Sequence, residues 1–131
     1  MLVCGCVSPP PQTDPNYKGI YFHVCDDMPA KAKGMCGTPL RMEHVPDSNV
    51  GRVKHAWLAP DGSLYALAEI DTTCAVGALA ASYIKTGIYK GFSLGYRVGM
   101  SNRNQAVVKT IHELSLCREG AHEGCIILKI E

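Results

Sequence analysis

The chain has 131 residues, 47% of them hydrophobic and 19% charged, with a formal net charge of +1. That length fits one domain with a core of its own. Near-neutral charge leaves no electrostatic footprint for nucleic acid, and no apolar run approaches the ~20 residues that cross a bilayer, so neither nucleic acid nor membrane is expected as a partner and a soluble, intracellular protein is expected.

The opening MLVCGCV is too short for a signal-peptide core and lacks a basic lead. SPPPQTDPNY follows, and its successive prolines favour an extended, unpaired chain. Residues 1–16 are therefore read as a flexible Pro-rich segment ahead of a domain spanning 17–131. Seven cysteines are spread along the chain, and only Cys4 and Cys6 form a close pair. Zinc frameworks normally show two such pairs, so the thiols read as small apolar core residues and no metal or cofactor is expected. A Cys/His metal module is a further reading, which metal analysis decides.

YKGIYFHVC, residues 17–25, alternates and is rich in aromatic and β-branched residues, the pattern of a strand. DDMPAKAKGMCGTP reads as loop with a helical turn, and LRMEHV as a short strand over 40–45 that ends at the turn signal PDSN. GRVKHAWLAPDGSLYALAEID is a hairpin: Val53 to Leu58, a turn at PDG, and a return strand from Leu64 to Ile70. From 71 to 87 the period changes: Val76, Leu79, Ala80, Tyr83 and Ile84 recur at helical spacing, Asp or Thr at 71–73 can cap the start, and Gly87 sits where a helix ends. YKGFSLGYRVG, AVVKTIHELSLC and CIILKI are three further strands, with SNRNQ a turn and REGAHEG a loop. Mostly antiparallel β with one clear helix, in six or seven short strands, suggests an α+β chain built on a small barrel or sandwich.

GFSLGY holds the sharpest chemical signal. Phe92, Leu94 and Tyr96 share one strand face, and Gly91, Ser93 and Gly95 the other, so a lone hydroxyl stands between two residues without side chains. A serine attacks only when a base takes its proton, usually a histidine oriented by a third group. His44 lies at a strand end before a turn, and His112 and Glu113 stand side by side on another strand. Alternation puts Glu113 with Ser115 and Cys117, and His112 with Leu114 and Leu116. A carboxylate among small polar residues is the better partner for an imidazole, because it fixes the tautomer and stabilises the imidazolium. His112 in its place gives a workable Ser-His-His set with less charge. Strand, not turn and helix, follows Ser93, so GxSxG here is no nucleophile elbow.

Together these segments resemble the herpesvirus capsid-maturation protease (assemblin) and its relatives, the phage prohead proteases, from about residue 37 to 128. GTPLRMEHVPDSNVGRV is similar to the family segment in which the catalytic histidine precedes a Gly-Arg/His-Val strand start, which implies His44 as base. GSLYALAEID corresponds to the family's strand after the hairpin. A helix followed by GxSxG, as in GIYKGFSLGY, implies Ser93 as nucleophile. HELSLCREGAHEGCIIL resembles the herpesviral H-x-x-L-C-x-x-G strand and loop. Matched on Leu116, Cys117 and Gly120, it puts Glu113 rather than His112 at the third position, as in the E-I/V-S-L strand of phage-type members. The family's paired arginines after LCxxG correspond to Ala121 and His122, so the implied oxyanion donor is the Ala121 backbone N–H, with His122 or Arg118 orienting a water. Gly91 and Gly95 are expected to leave room for substrate and imidazole beside Ser93.

The resemblance implies a small antiparallel assemblin-like barrel and a serine endopeptidase that cuts the viral scaffold protein and its own precursor inside an immature capsid, often at Ala–Ser. It further implies a homodimer, indirect association with the capsid shell protein, and residence where capsids assemble, the nucleus for a herpesvirus-like source. The alternative is an inactive capsid- or scaffold-binding β domain of the same shape.

Overall fold

The computed structural model describes residues 1–8, 28–100, 106–120 and 125–131. Seven strands form one sheet in the order β5-β6-β2-β3-β4-β1-β7, accompanied by two helices. The strands are β1 Leu2–Ser8, β2 Pro39–Met42, β3 Gly51–Leu58, β4 Leu64–Ile70, β5 Gly91–Met100, β6 Ala106–Cys117 and β7 Ile127–Ile130. The helices are α1 Met28–Gly34 and α2 Ala75–Lys85. The sheet curls into a half-barrel whose outer strands meet at one end. There the Phe92 N–H donates to the Cys125 carbonyl at 3.2 Å, and the Ile127 N–H to that of Lys90 at 2.9 Å. Pairing is antiparallel except between β2 and β6, which run parallel, so the expected barrel is neither fully antiparallel nor fully closed.

Period-two patterning explains which faces fill the core. Along β4, Leu64, Ala66, Ala68 and Ile70 are buried while Tyr65, Leu67 and Glu69 face the other way. On β3 the buried residues are Val53 and Ala56, three apart, because a bulge between Val53 and His55 inserts one residue into the alternation. Phe92 and Leu94 of β5 and Leu114 and Leu116 of β6 close the core from the far side.

Three expectations need correction. Residues 2–8 are not part of a flexible tip: they form β1, paired to both β4 and β7, with Val3 and Val7 in the core. The proline run that follows lies outside the described residues, as do the strand expected at 17–25 and the turn at 101–105. On α2, Val76 and Leu79 are exposed, and the buried stripe is Gly77, Ala80, Ala81 and Ile84. The N-cap is Cys74, whose Sγ accepts from the Gly77 N–H at 3.3 Å, while Asp71 is engaged in a turn with Thr73. Finally, β2 stops at Met42, two residues before the histidine the sequence had placed on a strand.

Candidate active site

Three adjacent strands build the site. β6 lies between β5 and β2, and the register sets Ser93 opposite Ser115, Gly95 opposite Glu113, and Arg41 beside Ser115. The polar face of β6 therefore carries Glu113 and Ser115 under the end of β2, where the chain turns. Leu114 and Leu116 point into the core, which fixes the orientation of that polar face.

The turn after β2 is bent into an unusual shape. Glu43 and His44 have φ of 48° and 61°, in the left-handed region that L-residues rarely occupy. Such residues cost on the order of 1–3 kcal/mol each and persist only when their surroundings hold them. Here the Glu43 N–H donates to the Leu116 carbonyl at 3.0 Å and the His44 N–H to Ser115 Oγ at 3.0 Å. Ser48 braces the other side of the turn. Its Oγ accepts from the Met42 N–H at 3.0 Å and shares its proton between the carbonyls of Val45 at 2.7 Å and Met42 at 3.1 Å. The sequence marks PDSN only as a turn, and the bracing role of Ser48 is not visible there.

This geometry swings the His44 imidazole over β6 and towards β5. Its Nδ1 hydrogen-bonds Glu113 Oε1, and its Nε2 lies 2.9 Å from Ser93 Oγ. With a carboxylate at Nδ1, the consistent tautomer has Nδ1–H donating to Glu113 and Nε2 accepting from the Ser93 hydroxyl. The other Glu113 oxygen, Oε2, accepts from Ser115 Oγ at 2.7 Å. Glu113 is 2% exposed, so its carboxylate is withdrawn from water and its protein partners define its position. Ser93 is nearly buried as well, whereas the His44 side chain is 43% exposed and forms the open side of the site.

An open groove of about 530 Å³ runs past these residues, lined by Arg41, Pro46, Tyr96 and His112 among others. His112 is exposed at a β-bulge between Gly95 and Tyr96 and borders the groove, while both ring nitrogens of His44 are engaged by Glu113 and Ser93. The arrangement leaves His112 outside the Ser93–His44–Glu113 chain. Arg118 is 77% exposed, with Nε 3.8 Å from Glu43 Oε1, a solvent-facing pair of small energetic weight. Ala121 and His122 lie outside the described residues.

The two glycines beside Ser93 have other occupants than expected. A Cβ on Gly95 would lie 2.3 Å from Glu113 Oε1, and one on Gly91 would lie 2.2 Å from the Gly120 nitrogen. Gly95 thus makes room for the carboxylate, and Gly91 for the backbone of the segment after β6, not for substrate. Cys117 continues the Glu113–Ser115 face. Burial, reinforced by the nearby carboxylates of Glu43 and Glu113, pushes its thiol up to about 11. It stays protonated at neutral pH. Among the described residues, no group of three or more His, Cys, Asp or Glu side chains is placed to hold a metal ion, and no helix is long and apolar enough to cross a membrane.

The mostly β half-barrel has a protease-like fold, that of the herpesvirus proteases. Solved structures of Kaposi's sarcoma herpesvirus protease are among those it matches. One, in complex with a hexapeptide phosphonate inhibitor, matches with a TM-score of 0.66 at 16% identity, covering 97% of this chain and 63% of that one. A second, in complex with an allosteric inhibitor, matches with a TM-score of 0.59 at 17% identity over 97% and 75% of the two chains. A third, with a dimer disruptor, matches with a TM-score of 0.60 at 15% identity over 97% and 74%. This chain therefore spans less than two thirds of the first of these proteins. No family model matches the chain, and no curated protein matches it in sequence.

Proposed function

We propose that this chain is a serine endopeptidase of capsid maturation, with Ser93 as nucleophile, His44 as general base and acid, and Glu113 as the carboxylate that orients His44. The observation that carries the reading is the unbroken hydrogen-bond chain from the buried Glu113 through both ring nitrogens of His44 to Ser93 Oγ. Ser93 Oγ attacks the scissile carbonyl carbon while its proton passes to His44 Nε2. The imidazolium is stabilised by the Glu113 carboxylate at Nδ1. The tetrahedral adduct collapses with cleavage of the C–N bond, and His44 delivers the proton to the leaving amine. Water, deprotonated by His44, then releases the acyl group from Ser93. The segment after Cys117 supplies the oxyanion donors in this proposal, as the sequence resemblance implies.

The substrates proposed are the viral scaffold protein and the precursor of this chain, cut within the immature capsid. The groove beside Ser93 supports a peptide substrate of extended shape, and one solved neighbour of like fold holds a hexapeptide phosphonate. A homodimer is proposed on the same footing, since another neighbour is bound to a dimer disruptor. Residence at the site of capsid assembly follows from that role. The test is processing of a scaffold peptide by wild type and by Ser93→Ala. Cleavage by wild type alone supports the enzyme. Equal processing removes the catalytic assignment, and binding by both without cleavage favours an inactive scaffold-binding domain.

A further inference from the structure

We infer that Ser115 is a positioning residue of this site, holding base and carboxylate in register; the inference rests on the function proposed above. Its hydroxyl makes two bonds of opposite sense. It accepts from the His44 backbone N–H at 3.0 Å and donates to Glu113 Oε2 at 2.7 Å. A hydroxyl has one proton, so these two contacts use its donor and its best-placed acceptor site together. Ser115 is fully buried, so no water stands ready to replace either contact.

Each contact acts on a different weakness of the site. His44 is held at a φ of 61°, and its N–H has Ser115 as its partner in place of the strand ladder, which β2 leaves at Met42. The Glu113 carboxylate meets His44 through Oε1, so Oε2 needs a separate donor to stop the group rotating about its last torsion. One hydroxyl, 71 residues along the chain from the base, thus ties the backbone of the base to the far oxygen of its orienting group. The strand register makes this possible. Ser115 lies opposite Ser93 on one side and beside Arg41 on the other, so it sits beneath the line joining nucleophile and base. Valine there would suit the local β preference better but makes neither bond. Only a small hydroxyl makes both bonds.

The test uses the rate of Ser93 phosphonylation by a fluorophosphonate probe, separated into a saturating rate and a half-saturating concentration. It is paired with the downfield proton resonance of His44 Nδ1–H. Loss of a hydrogen bond to a charged group is expected to lower the saturating rate about 10–100-fold in Ser115→Ala, with little change in half-saturation. The resonance broadens or disappears while the melting transition stays cooperative. Ser115→Cys, with a weak donor of similar shape, is expected to fall between the two, and it decides the matter if the alanine variant does not fold. Wild-type saturating rate and resonance in a folded Ala or Cys variant overturn the inference. A wild type that never labels at Ser93 instead overturns the underlying function and is recognised by that alone.

Discussion

Replacing Gly95 by alanine is the sharpest way to ask whether Glu113 must sit where it does. The added Cβ would lie 2.3 Å from Glu113 Oε1 and 2.4 Å from its Cγ, whereas ordinary contact begins at 3.4 Å. The carboxylate oxygen must therefore retreat by about 1 Å, the gap between those two distances. It cannot do so while keeping its bonds to both His44 and Ser115. A misplacement of about 1 Å in a catalytic arrangement can cost about 100-fold in rate, and overpacking a filled site costs about 1–3 kcal/mol in stability. Gly95→Ala is accordingly expected to lose about two powers of ten in fluorophosphonate labelling of Ser93 and to melt at lower temperature. The stability loss should vanish in a Glu113→Ala background, where the space is already empty, giving a large coupling in the double-mutant cycle. Full labelling by Gly95→Ala, or the same destabilisation with and without the Glu113 side chain, refutes the reasoning.

Glu113→Gln is expected to reduce kcat by about 10⁴-fold, as loss of a triad carboxylate typically does, while His112→Ala keeps most of the activity because His112 stands outside the hydrogen-bonded chain. Peptide turnover by the two variants separates the roles. Cys117 gives a pH dependence with a definite sign. Its thiol is pushed from the ordinary 9.0 to about 11 by burial and neighbouring carboxylates. Between those values the unfolded chain has lost the proton that the folded one retains, so stability falls as pH rises from about 9 to about 11. Chemical denaturation across that range should show the decline in wild type and a smaller one in Cys117→Ala.

How much of this was legible in the sequence depends on whether the signal was local. The β3–β4 hairpin was, because PDG supplies its own turn: the Gly62 N–H donates to the Ala59 carbonyl at 2.9 Å, and the Ser63 N–H to Asp61 Oδ1 at 2.9 Å. Strand alternation and residue type put Ser93, His44, Glu113 and His112 forward as candidates, the family resemblance chose Ser93, His44 and Glu113 among them, and the structure brings those three within hydrogen-bonding reach. β1 was not legible. LVCGCVS runs straight into the proline run, which drew residues 1–16 into one segment, and its strand character comes from pairing with β4 and β7, distant in sequence. The left-handed backbone at Glu43 and His44 was hidden for the same reason, since it is held by Leu116 and Ser115 from another strand. On α2 the apolar period was real, but the sheet receives the small residues Ala80 and Ala81 and leaves Leu79 outside, a choice made by close packing and not by hydrophobicity.

The central claim is that one hydroxyl in this chain is activated. Fluorophosphonate treatment of the intact protein, followed by digestion and peptide mapping, tests it directly. The account predicts a single modified serine, Ser93, with labelling abolished in Ser93→Ala and strongly reduced in His44→Ala. A folded protein that takes no label, or takes it at another serine with Ser93 untouched, contradicts it.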